Sequence, residues 1–508
     1  MVVNTWDGAA NTNWDDAGNW NSTGVTDRIP TASDVVIIPD TSSINNPTLR
    51  QNQPCASFDM QANATVVGAG FKITVHEEDS NVAVDNDAII SGVLDLEIQT
   101  AGATTLDLMG TSGNFRNLTI NHASCDAFLI ANTTIDGNLT ITAGELTCAT
   151  DGGSARTLTV AGRTDIGPSS GSADQATLTA TSQDLVLGSG RTSSHALIIN
   201  QGGTFVGGTG IHTIGSLNIK NSVNAKCTLS SGVTTINGEH GGDNKAINIE
   251  GSNGVTNFAH GSGTVTITHD GASDIKADGV TLALNNLIIN HASANINLKG
   301  ILTVAGNLTI TAGELDTDSS NYALTVTGDA IIDGTLTGNN SVVRLGSLAV
   351  GGTYSASSNE TIITSERSNG RAVDIVGTFT HNSGTIEIQT AADTDLRWPS
   401  SSSAYHININ HASCIARPTG SNKPPIAGNL YIKQGKFSLL DSDGSTTHPC
   451  TVTGSCTIGD GSGSANTAIF EGRDDSVTFG SLTIDSDGQY DATTGSTIIT
   501  DRAGAGYQ

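Results

Sequence analysis

Pairs of aliphatic residues separated by one polar residue recur along most of the chain, and a short polar segment follows each pair. The clearest copy is residues 117–124, which read NLTINHAS, and close copies lie at 286–293 and 406–413. Alternation of apolar and polar residues is typical of a strand with one side against a core. Asn-His at the head of the polar segment indicates a turn. Each copy therefore predicts one short strand and its turn.

The spacing of these pairs predicts how the strands are arranged. Successive first members are 22, 21, 19, 20, 19 and 20 residues apart, in the order Leu96, Leu118, Leu139, Leu158, Leu178, Leu197 and Leu217. A unit of about 20 residues with one dominant strand has the size of one coil of a parallel β-helix, in which each strand pairs with its equivalent one coil on. We predict an all-β fold, an elongated parallel β-helix (β-solenoid) with about 20 residues per coil.

A longer repeat overlies the short one. The segment NLTITAGEL at 138–146 returns unchanged at 307–315, and LEIQTA at 96–101 returns as IEIQTA at 386–391. Duplication of a block of several coils explains these matches. It predicts a cap or anchor region at 1–90, a solenoid block with extra coils at 91–263, and further blocks at 264–384 and 385–508.

The block alignment makes three further predictions. The Asn-His stretch, which is our name for residues 117–124, 286–293 and 406–413, marks the same coil in each block. It therefore fixes the register of the solenoid. Cys450 takes the position of Leu158 and Leu324 and is a small buried hydrophobe. Residues 220–262 and 330–375 fit the 20-residue spacing poorly, so we expect irregular coils or side loops there.

The N-terminal region differs from the repeats because it holds three of the 4 tryptophans, Trp6, Trp14 and Trp20. We predict that these rings form a small core that caps the first coil, since an uncapped end would expose strand edges. A second interpretation, compatible with the first, is that the rings dock onto another protein, because aromatic residues are enriched at interfaces.

Charge excludes several classes of protein. The formal net charge is -27, and no stripe of Lys and Arg is present to replace the counterions of nucleic acid.

No apolar run approaches the roughly 18 residues of a membrane span. The N-terminus has neither the basic start nor the apolar segment of a secretory signal peptide. The 7 cysteines are odd in number and lack a C-x-x-C spacing, which indicates neither a zinc site nor a complete disulfide framework.

Candidate metal sites are weak at this level. His122, His291 and His411 recur, but coils stacked at about 4.8 Å separate the first two by roughly 40 Å, so we predict turn residues rather than shared ligands. Acidic turns at 316–318, 441–444 and 485–488 resemble fragments of calcium loops without the full spacing. We expect no cofactor, with calcium left open.

Enzymatic chemistry has little support in the sequence. Parallel β-helices also carry polysaccharide lyases and hydrolases, which need paired carboxylates beside an aromatic sugar platform. No carboxylate pair stands out, and beyond residue 90 the only tryptophan is Trp398. We predict a protein that is not an enzyme and name no catalytic residue.

The repeat block resembles a known group of proteins. NLTITAGEL at 138–146 and 307–315, with NYALTVTG at 321–328 and GTLTG at 334–338, looks like the repeats of large solenoid proteins of marine tailed bacteriophages. The opening order of Trp-Asp-Gly, Asn-Trp and DVVIIP at 34–39 is similar to the first segment of many bacterial and phage β-solenoid surface proteins. This resemblance implies a structural or host-attachment role on a virion and transfers no catalytic residue.

These observations together predict a bacteriophage fibre or spike-like rod on the virion surface. The N-terminal region would contact other virion proteins, the chain would form a homo-oligomer, and a host-surface glycan or protein would be the receptor. A virus particle also explains a surface protein without a signal peptide, because lysis releases it. The alternatives are a bacterial cell-surface adhesin or extracellular filament protein and, third, a polysaccharide-degrading tailspike.

Overall fold

The fold is almost entirely β-structure. The structure is a computed structural model and describes residues 1–150, 152–168, 175–399, 401–419, 425–440, 449–462 and 467–501. The chain divides into two compact units: unit 1 is Met1–His269 with Lys276–Val280, and unit 2 is Asp270–Ile275 with Thr281–Gln508. Each unit is a parallel β-solenoid, and together they contain about 19 turns of about 23 residues. The predicted fold class is confirmed.

Unit 1 contains short strands, one 3-10 helix (Ala17–Asn19) and the helix α1 (Gly251–Thr256). Its strands are β1 (Val2–Trp6), β2 (Trp20–Ser22), β3 (Asp34–Ile38), β4 (Gln53–Cys55), β5 (Ser57–Met60), β6 (Thr65–Val67), β7 (Phe71–Val75), β8 (Val82–Asn86), β9 (Ile89–Ser91), β10 (Leu94–Ile98), β11 (Gly102–Leu106), β12 (Leu118–Leu129), β13 (Thr133–Ile135), β14 (Leu139–Thr147), β15 (Leu158–Val160), β16 (Thr164–Ile166), β17 (Ala176–Thr179), β18 (Leu185–Leu187), β19 (Leu197–Ile199), β20 (Gly203–Val206), β21 (His212–Ile214), β22 (Leu217–Ile219), β23 (Lys226–Thr228), β24 (Val233–Ile236), β25 (Lys245–Ile249), β26 (Phe258–Ala259) and β27 (Thr264–Ile267).

Unit 2 has several longer strands that bend at the corners of the solenoid. Strand β28 (Ala272–Leu284) has residues in both units. The remaining strands are β29 (Asn286–Val304), β30 (Leu308–Asp316), β31 (Leu324–Ile332), β32 (Thr335–Thr337), β33 (Val342–Val350), β34 (Thr353–Ser355), β35 (Glu360–Ile363), β36 (Arg371–Ile375), β37 (Thr378–Thr380), β38 (Thr385–Ile388), β39 (Asp393–Arg397), β40 (His406–Thr419), β41 (Leu430–Ser438), β42 (Cys450–Ile458), β43 (Ala468–Glu471), β44 (Val477–Ile484), β45 (Gly488–Asp491) and β46 (Thr497–Ile499). No helix among the described residues is long and apolar enough to cross a membrane.

Three parallel ladders run along unit 1. The first joins β4, β7, β10, the start of β12, the start of β14, β16, β19, β22 and β25. The second joins β1, β3, β5, β8, β11, the ends of β12 and β14, β17, β20, β23 and β26. The third joins β13, β15, β18, β21, β24 and β27. The N-terminal region is therefore itself part of the solenoid.

Unit 2 also has three ladders, and β29 contributes to all of them. Its first segment begins the ladder β29, β30, β31, β33, β36, β39 and β40. Its middle segment begins the ladder β29, β30, β32, β34 and β37. Its last segment begins the ladder β29, β31, β33, β35, β38, β40, β41, β42 and β44.

Aliphatic side chains fill the interior of both units because alternate residues of each strand point inward. Leu118 and Ile120 are buried, as are their counterparts Leu287 and Ile289 in unit 2. Full burial of one such side chain stabilises the fold by about 1.5–3 kcal/mol. A thin core of stacked Leu, Ile and Val is enough because each turn is covered by the turns on either side.

Asparagine side chains connect successive turns on the outside. Asn286 Oδ1 accepts a hydrogen bond from the backbone N–H of Asn307 at 2.9 Å, and Asn307 Oδ1 accepts one from Asp329 N at 2.9 Å. Asn117 and Asn138 make the same bonds in unit 1, both at 2.8 Å. These four asparagines, each directly before an apolar pair, thus satisfy a backbone donor at a corner, where the ladder does not.

The even spacing of about 20 residues is misleading. Leu139 and Leu197 lie on the first ladder, but Leu158 lies on the third and Leu178 on the second. On the first ladder Leu139 pairs with Thr164, so Thr interrupts the aliphatic series there. The apolar pairs that are about 20 residues apart in the sequence therefore belong to three different ladders. One full turn of the solenoid contains about 23 residues.

The Asn-His stretch does not fix one register. In unit 2, Leu287 lies on the first ladder, whereas Ile407, its counterpart in the next copy, lies on the third ladder with Ile386. The duplicated blocks therefore lie on different ladders, and the predicted register is wrong.

Two smaller predictions also fail. Cys450 was predicted to be buried but is only half-buried, whereas Cys456 on the third ladder of unit 2 is buried. Residues 330–375 form regular ladders from β31 to β36. Residues 330–375 fit the 20-residue spacing poorly because their turns differ in length: Ala330, Leu348 and Val373 are aligned on one ladder although they are unequally spaced in the sequence. Within 220–262, in contrast, α1 interrupts the strands.

Candidate functional site

The three predicted docking residues are completely buried. Trp6, Trp14 and Trp20 are each 0% exposed. The ring centroid of Trp20 lies 5.1 Å from that of Trp6 and 4.8 Å from that of Trp14, both edge to face. Trp20 Nε1 donates to the carbonyl oxygen of Trp14 at 2.8 Å, and Trp6 Nε1 donates to Asn45 O at 2.6 Å. This packing is the geometry expected of a cap core, and docking of the region onto a partner stays a prediction.

The repeated histidines act within their own turns. In each copy the ring nitrogen Nδ1 accepts a hydrogen bond from the backbone N–H of the serine two residues on, at 3.2, 3.3 and 3.2 Å for His122, His291 and His411. The ring therefore satisfies a donor at the corner, where the ladder breaks. This is the turn role that the sequence predicts.

The asparagine of the same stretch binds a glutamate on the preceding turn. Glu97 accepts from Asn121 at 2.9 Å and from Gln99 at 2.6 Å, and it pairs with Lys72. Burial opposes ionisation of Glu97, but the bonds from Asn121, Lys72 and Gln99 outweigh it and lower the pKa. Glu387 likewise accepts a hydrogen bond from Asn410, in the Asn-His stretch at 406–413, at 3.0 Å. In the first and third copies, the motif therefore takes part in a hydrogen-bond network between turns.

Two of the three acidic turns use their carboxylates within the fold. Asp487 is 1% exposed and accepts from the backbone N–H of Gly461 at 2.9 Å. Asp318 pairs with Lys299, and this hydrogen bond is the main cause that lowers the pKa of Asp318 to about 2. The third turn, 441–444, lies outside the described residues. The carboxylates of Asp487 and Asp318 already have donors, so a calcium ion would have to displace them.

An acidic recess on the second ladder of unit 1 was not evident from the sequence. Asp59 and Asp85 are paired on adjacent turns, and Asp107 follows one turn further on. Asp59, Asp79 and Asp85 line a recess of about 180 Å³ together with the apolar side chains of Val35 and Val82. The stacking of turns brings together residues 26 positions apart, which no local motif records.

Burial and mutual repulsion act on these carboxylates. Burial is the largest cause that raises the pKa of Asp59, and the neighbouring charge of Asp85 raises it further. Burial also raises the pKa of Asp85 and of Asp107. None of these three has an ion-pair partner in the described part of the chain. The pKa shifts mean that the folded state disfavours the charged forms, and the penalty is present at neutral pH.

Removal of one carboxylate from this column should stabilise the protein. Asp85→Asn is expected to raise the free energy of unfolding at pH 7 by about 0.2–1 kcal/mol, the usual size of a cross-strand charge effect. The gain should shrink as the pH falls toward 3.8, the usual aspartate value, because the wild-type carboxylates then become protonated. It should also shrink in high salt. Urea denaturation at pH 7 and pH 4, and at pH 7 in high salt, measures these effects.

Asp95→Asn is the matched control, because Asp95 accepts from Arg116 Nε at 2.9 Å and from Nη2 at 2.6 Å. Loss of this ion pair should destabilise the protein at pH 7. If Asp85→Asn lowers the free energy of unfolding as Asp95→Asn does, repulsion among Asp59, Asp85 and Asp107 is not significant.

A shallow groove of about 570 Å³ crosses several turns of unit 2. Its floor includes the stacked glycines Gly313, Gly334 and Gly352, and Ser293 of the Asn-His stretch lies at one end. A Cβ at Gly334 would lie 2.4 Å from Gly313 O, so only glycine allows the turns to approach this closely. The walls carry hydroxyl, amide and carboxylate groups, which can form hydrogen bonds with a polar ligand.

A cluster of His195, His240 and Asp243 in unit 1 also escaped the sequence analysis. The two imidazole rings are stacked with centroids 4.6 Å apart, and His240 Nδ1 lies 2.5 Å from Asp243 Oδ1. Burial, followed by the nearby His240, lowers the pKa of His195 to about 4, so the ring is neutral at pH 7. Two loops 45 residues apart in sequence supply the histidines. Residue spacing alone therefore could not reveal the cluster.

These features define the class of the protein as a parallel β-solenoid with side-chain hydrogen bonds between neighbouring turns. No protein-family model, curated protein or solved structure matches the chain. A functional assignment therefore depends on the surfaces and side-chain clusters of the solenoid itself.

Proposed function

We propose that this protein is a structural surface protein of a bacteriophage virion, a fibre or spike-like rod that contacts the host. The observation that carries the proposal is the use of the repeated polar residues. Asparagine, histidine and glutamate side chains of the duplicated motif bind within their own turn or an adjacent one, as Asn286, His122 and Glu97 do. Hydrogen bonds between turns stabilise a solenoid, so a repeated motif that makes them favours a structural role over a catalytic one.

The groove in unit 2 is the surface we assign to host contact. It crosses several turns, and Ser293, Asn295, Thr335 and Glu314 present hydroxyl, amide and carboxylate groups along it. Such a surface suits the hydroxyl groups of a glycan, which bind through many hydrogen bonds. The net charge of -27 disfavours anionic ligands.

Labelling of particles tests the proposal. Antibodies against the chain, applied to density-purified particles from a culture that carries the gene, should label a rod-shaped projection in electron micrographs. Label in the cell-envelope fraction and not on particles would overturn the proposal and favour the alternative, a bacterial adhesin.

A second function, a polysaccharide-degrading tailspike, is favoured by the acidic recess. Asp59 and Asp85 lie one turn apart, about 4.8 Å along the ladder. Retaining glycosidases place two carboxyl groups about 5–5.5 Å apart and raise the pKa of one of them. Against this function, Phe58 supplies the only aromatic ring that lines the recess among the described residues, and it is 1% exposed and cannot stack on a sugar.

Incubation with host capsular polysaccharide separates attachment from hydrolysis. Attachment predicts that wild-type protein and Asp59→Asn bind the polysaccharide equally and release no oligosaccharide. Release of reducing ends by wild type, abolished in Asp59→Asn, would establish the tailspike function.

A further inference from the structure

Two loops of unit 1 meet beside the first ladder. One loop, residues 189–195, precedes β19, and the other, residues 237–245, precedes and begins β25. Gly241 N donates to Thr192 O at 2.6 Å, and Glu239 N donates to Arg191 O at 3.2 Å. The second loop reverses tightly, because Asn244 N donates back to His240 O at 2.7 Å. Backbone bonds therefore hold the side chains of the two loops close together.

Three potential metal ligands converge where the loops meet. One nitrogen from each of His195 and His240 and one carboxylate oxygen of Asp243 all lie within 4.8 Å of one another. His195 is only 6% exposed, and its Nδ1 has no hydrogen-bond partner in the described part of the chain. A buried polar atom without a partner costs about 1–3 kcal/mol. A ligand bound at His195 Nδ1 would remove this cost, so the unpartnered nitrogen is a second observation that points to a ligand.

We propose that His195, His240 and Asp243 bind one divalent transition-metal ion of the zinc class. Two imidazole nitrogens and one carboxylate oxygen are a donor set that zinc takes in proteins, with water in the fourth position. Calcium and magnesium prefer oxygen ligands throughout, so the two histidines disfavour them. Ligands at about 2.0–2.1 Å from a tetrahedral ion lie closer together than 4.8 Å, so the loops close slightly on binding.

The ion would cross-link two loops that the ladders do not join directly. His240 Nδ1 lies 2.5 Å from Asp243 Oδ1, and Lys245 forms an ion pair with Asp243 Oδ2, so Lys245 is the protein's own cation at this position. Metal binding competes with this ion pair. A bound ion stabilises the folded state by mass action, because the unfolded chain does not hold the three ligands together.

Zinc titration of the full-length protein tests the site. After removal of metals with a chelator, calorimetry should show one zinc ion bound per chain. His195→Ala and Asp243→Asn should each weaken zinc binding by at least about 10-fold, the lower end of the loss seen even for residues that only support a ligand. Cobalt substitution should give the intense visible bands of a four-coordinate ion, and His195→Ala should remove them.

His291→Ala is the matched control, because His291 is a half-buried turn histidine that accepts from Ser293 N at 3.3 Å. It should bind zinc like wild type. Far-UV circular dichroism checks that each variant is folded, and His195→Gln replaces His195→Ala if the smaller side chain prevents folding. Absence of stoichiometric zinc binding to the wild type, or equal binding by folded wild type and His195 variants, would overturn the proposal.

Discussion

Trp20→Ala is expected to lower the free energy of unfolding of unit 1 by about 3–5 kcal/mol, the cost of truncating a buried aromatic residue. Trp20 is 0% exposed and lies between Trp6 and Trp14 in edge-to-face contact. Its removal leaves a cavity and also leaves the carbonyl oxygen of Trp14 without its indole donor. Stability in a solenoid is approximately a sum over turns and their interfaces, so the loss should be local.

Urea denaturation followed by far-UV circular dichroism gives the size of the loss, and hydrogen exchange gives its location. Amides of β1, β3 and β5 should lose protection first because these strands form the turns around the tryptophans. Unchanged protection in β1 and β3 would contradict the cap interpretation.

Two phenylalanine variants separate the hydrogen bond from the packing. Trp20→Phe removes the donor to Trp14 O, whereas Trp14→Phe removes an Nε1 group that has no partner within the described chain. Both lose similar volume, but only Trp20→Phe creates an unsatisfied buried acceptor, worth about 1–3 kcal/mol. Trp14→Phe should therefore be the milder change.

Gly313→Ala is the second large effect, with an expected loss of roughly 2–4 kcal/mol in unit 2 from backbone strain and steric overlap together. Gly313 has φ +85°, and a Cβ there would lie 2.5 Å from His291 O and 2.7 Å from Ala294 O. His291 belongs to the Asn-His stretch at 286–293, one turn before, and Ala294 directly follows that stretch. An alanine would have to push two turns apart at a corner that the ladders hold on both sides.

Two glycines of unit 2 separate these causes. Gly370 has φ +77° and no heavy atom within 4 Å of its Cβ position, so Gly370→Ala tests backbone strain alone. Gly334 does not have a positive φ, but its Cβ would lie 2.4 Å from Gly313 O, so Gly334→Ala tests the close approach alone. Shifts in the urea midpoint should be largest for Gly313→Ala. A shift no larger than that of Gly370→Ala would mean that the turns separate easily.

These variants also bear on the groove of unit 2. Its floor is the same glycine column, so Gly334→Ala changes the surface we assign to host contact as well as the spacing of the turns. A folded Gly334→Ala protein that no longer binds host polysaccharide would link groove shape to attachment.

The sequence predicted the architecture because solenoid order is local. Alternation in Leu118–Ile120 specifies a strand with one inward side, and the recurrence of such strands specifies stacking. The turn role of His122 was also accessible, because its partner is two residues away. Register was not accessible, since Leu158 and Leu178 have the same apolar pattern as Leu139 but lie on other ladders.

By itself, then, the sequence determined the strands, their inward faces and the parallel β-solenoid, because each depends on contacts that a two-residue period and a repeat encode. Only the tertiary structure decided which strands share a ladder, since corners of unequal length set the phase of every turn. It also brought His195 to His240 and Asp59 to Asp85. Those pairs come from different turns, and the distance between two turns depends on the path of the whole chain between them.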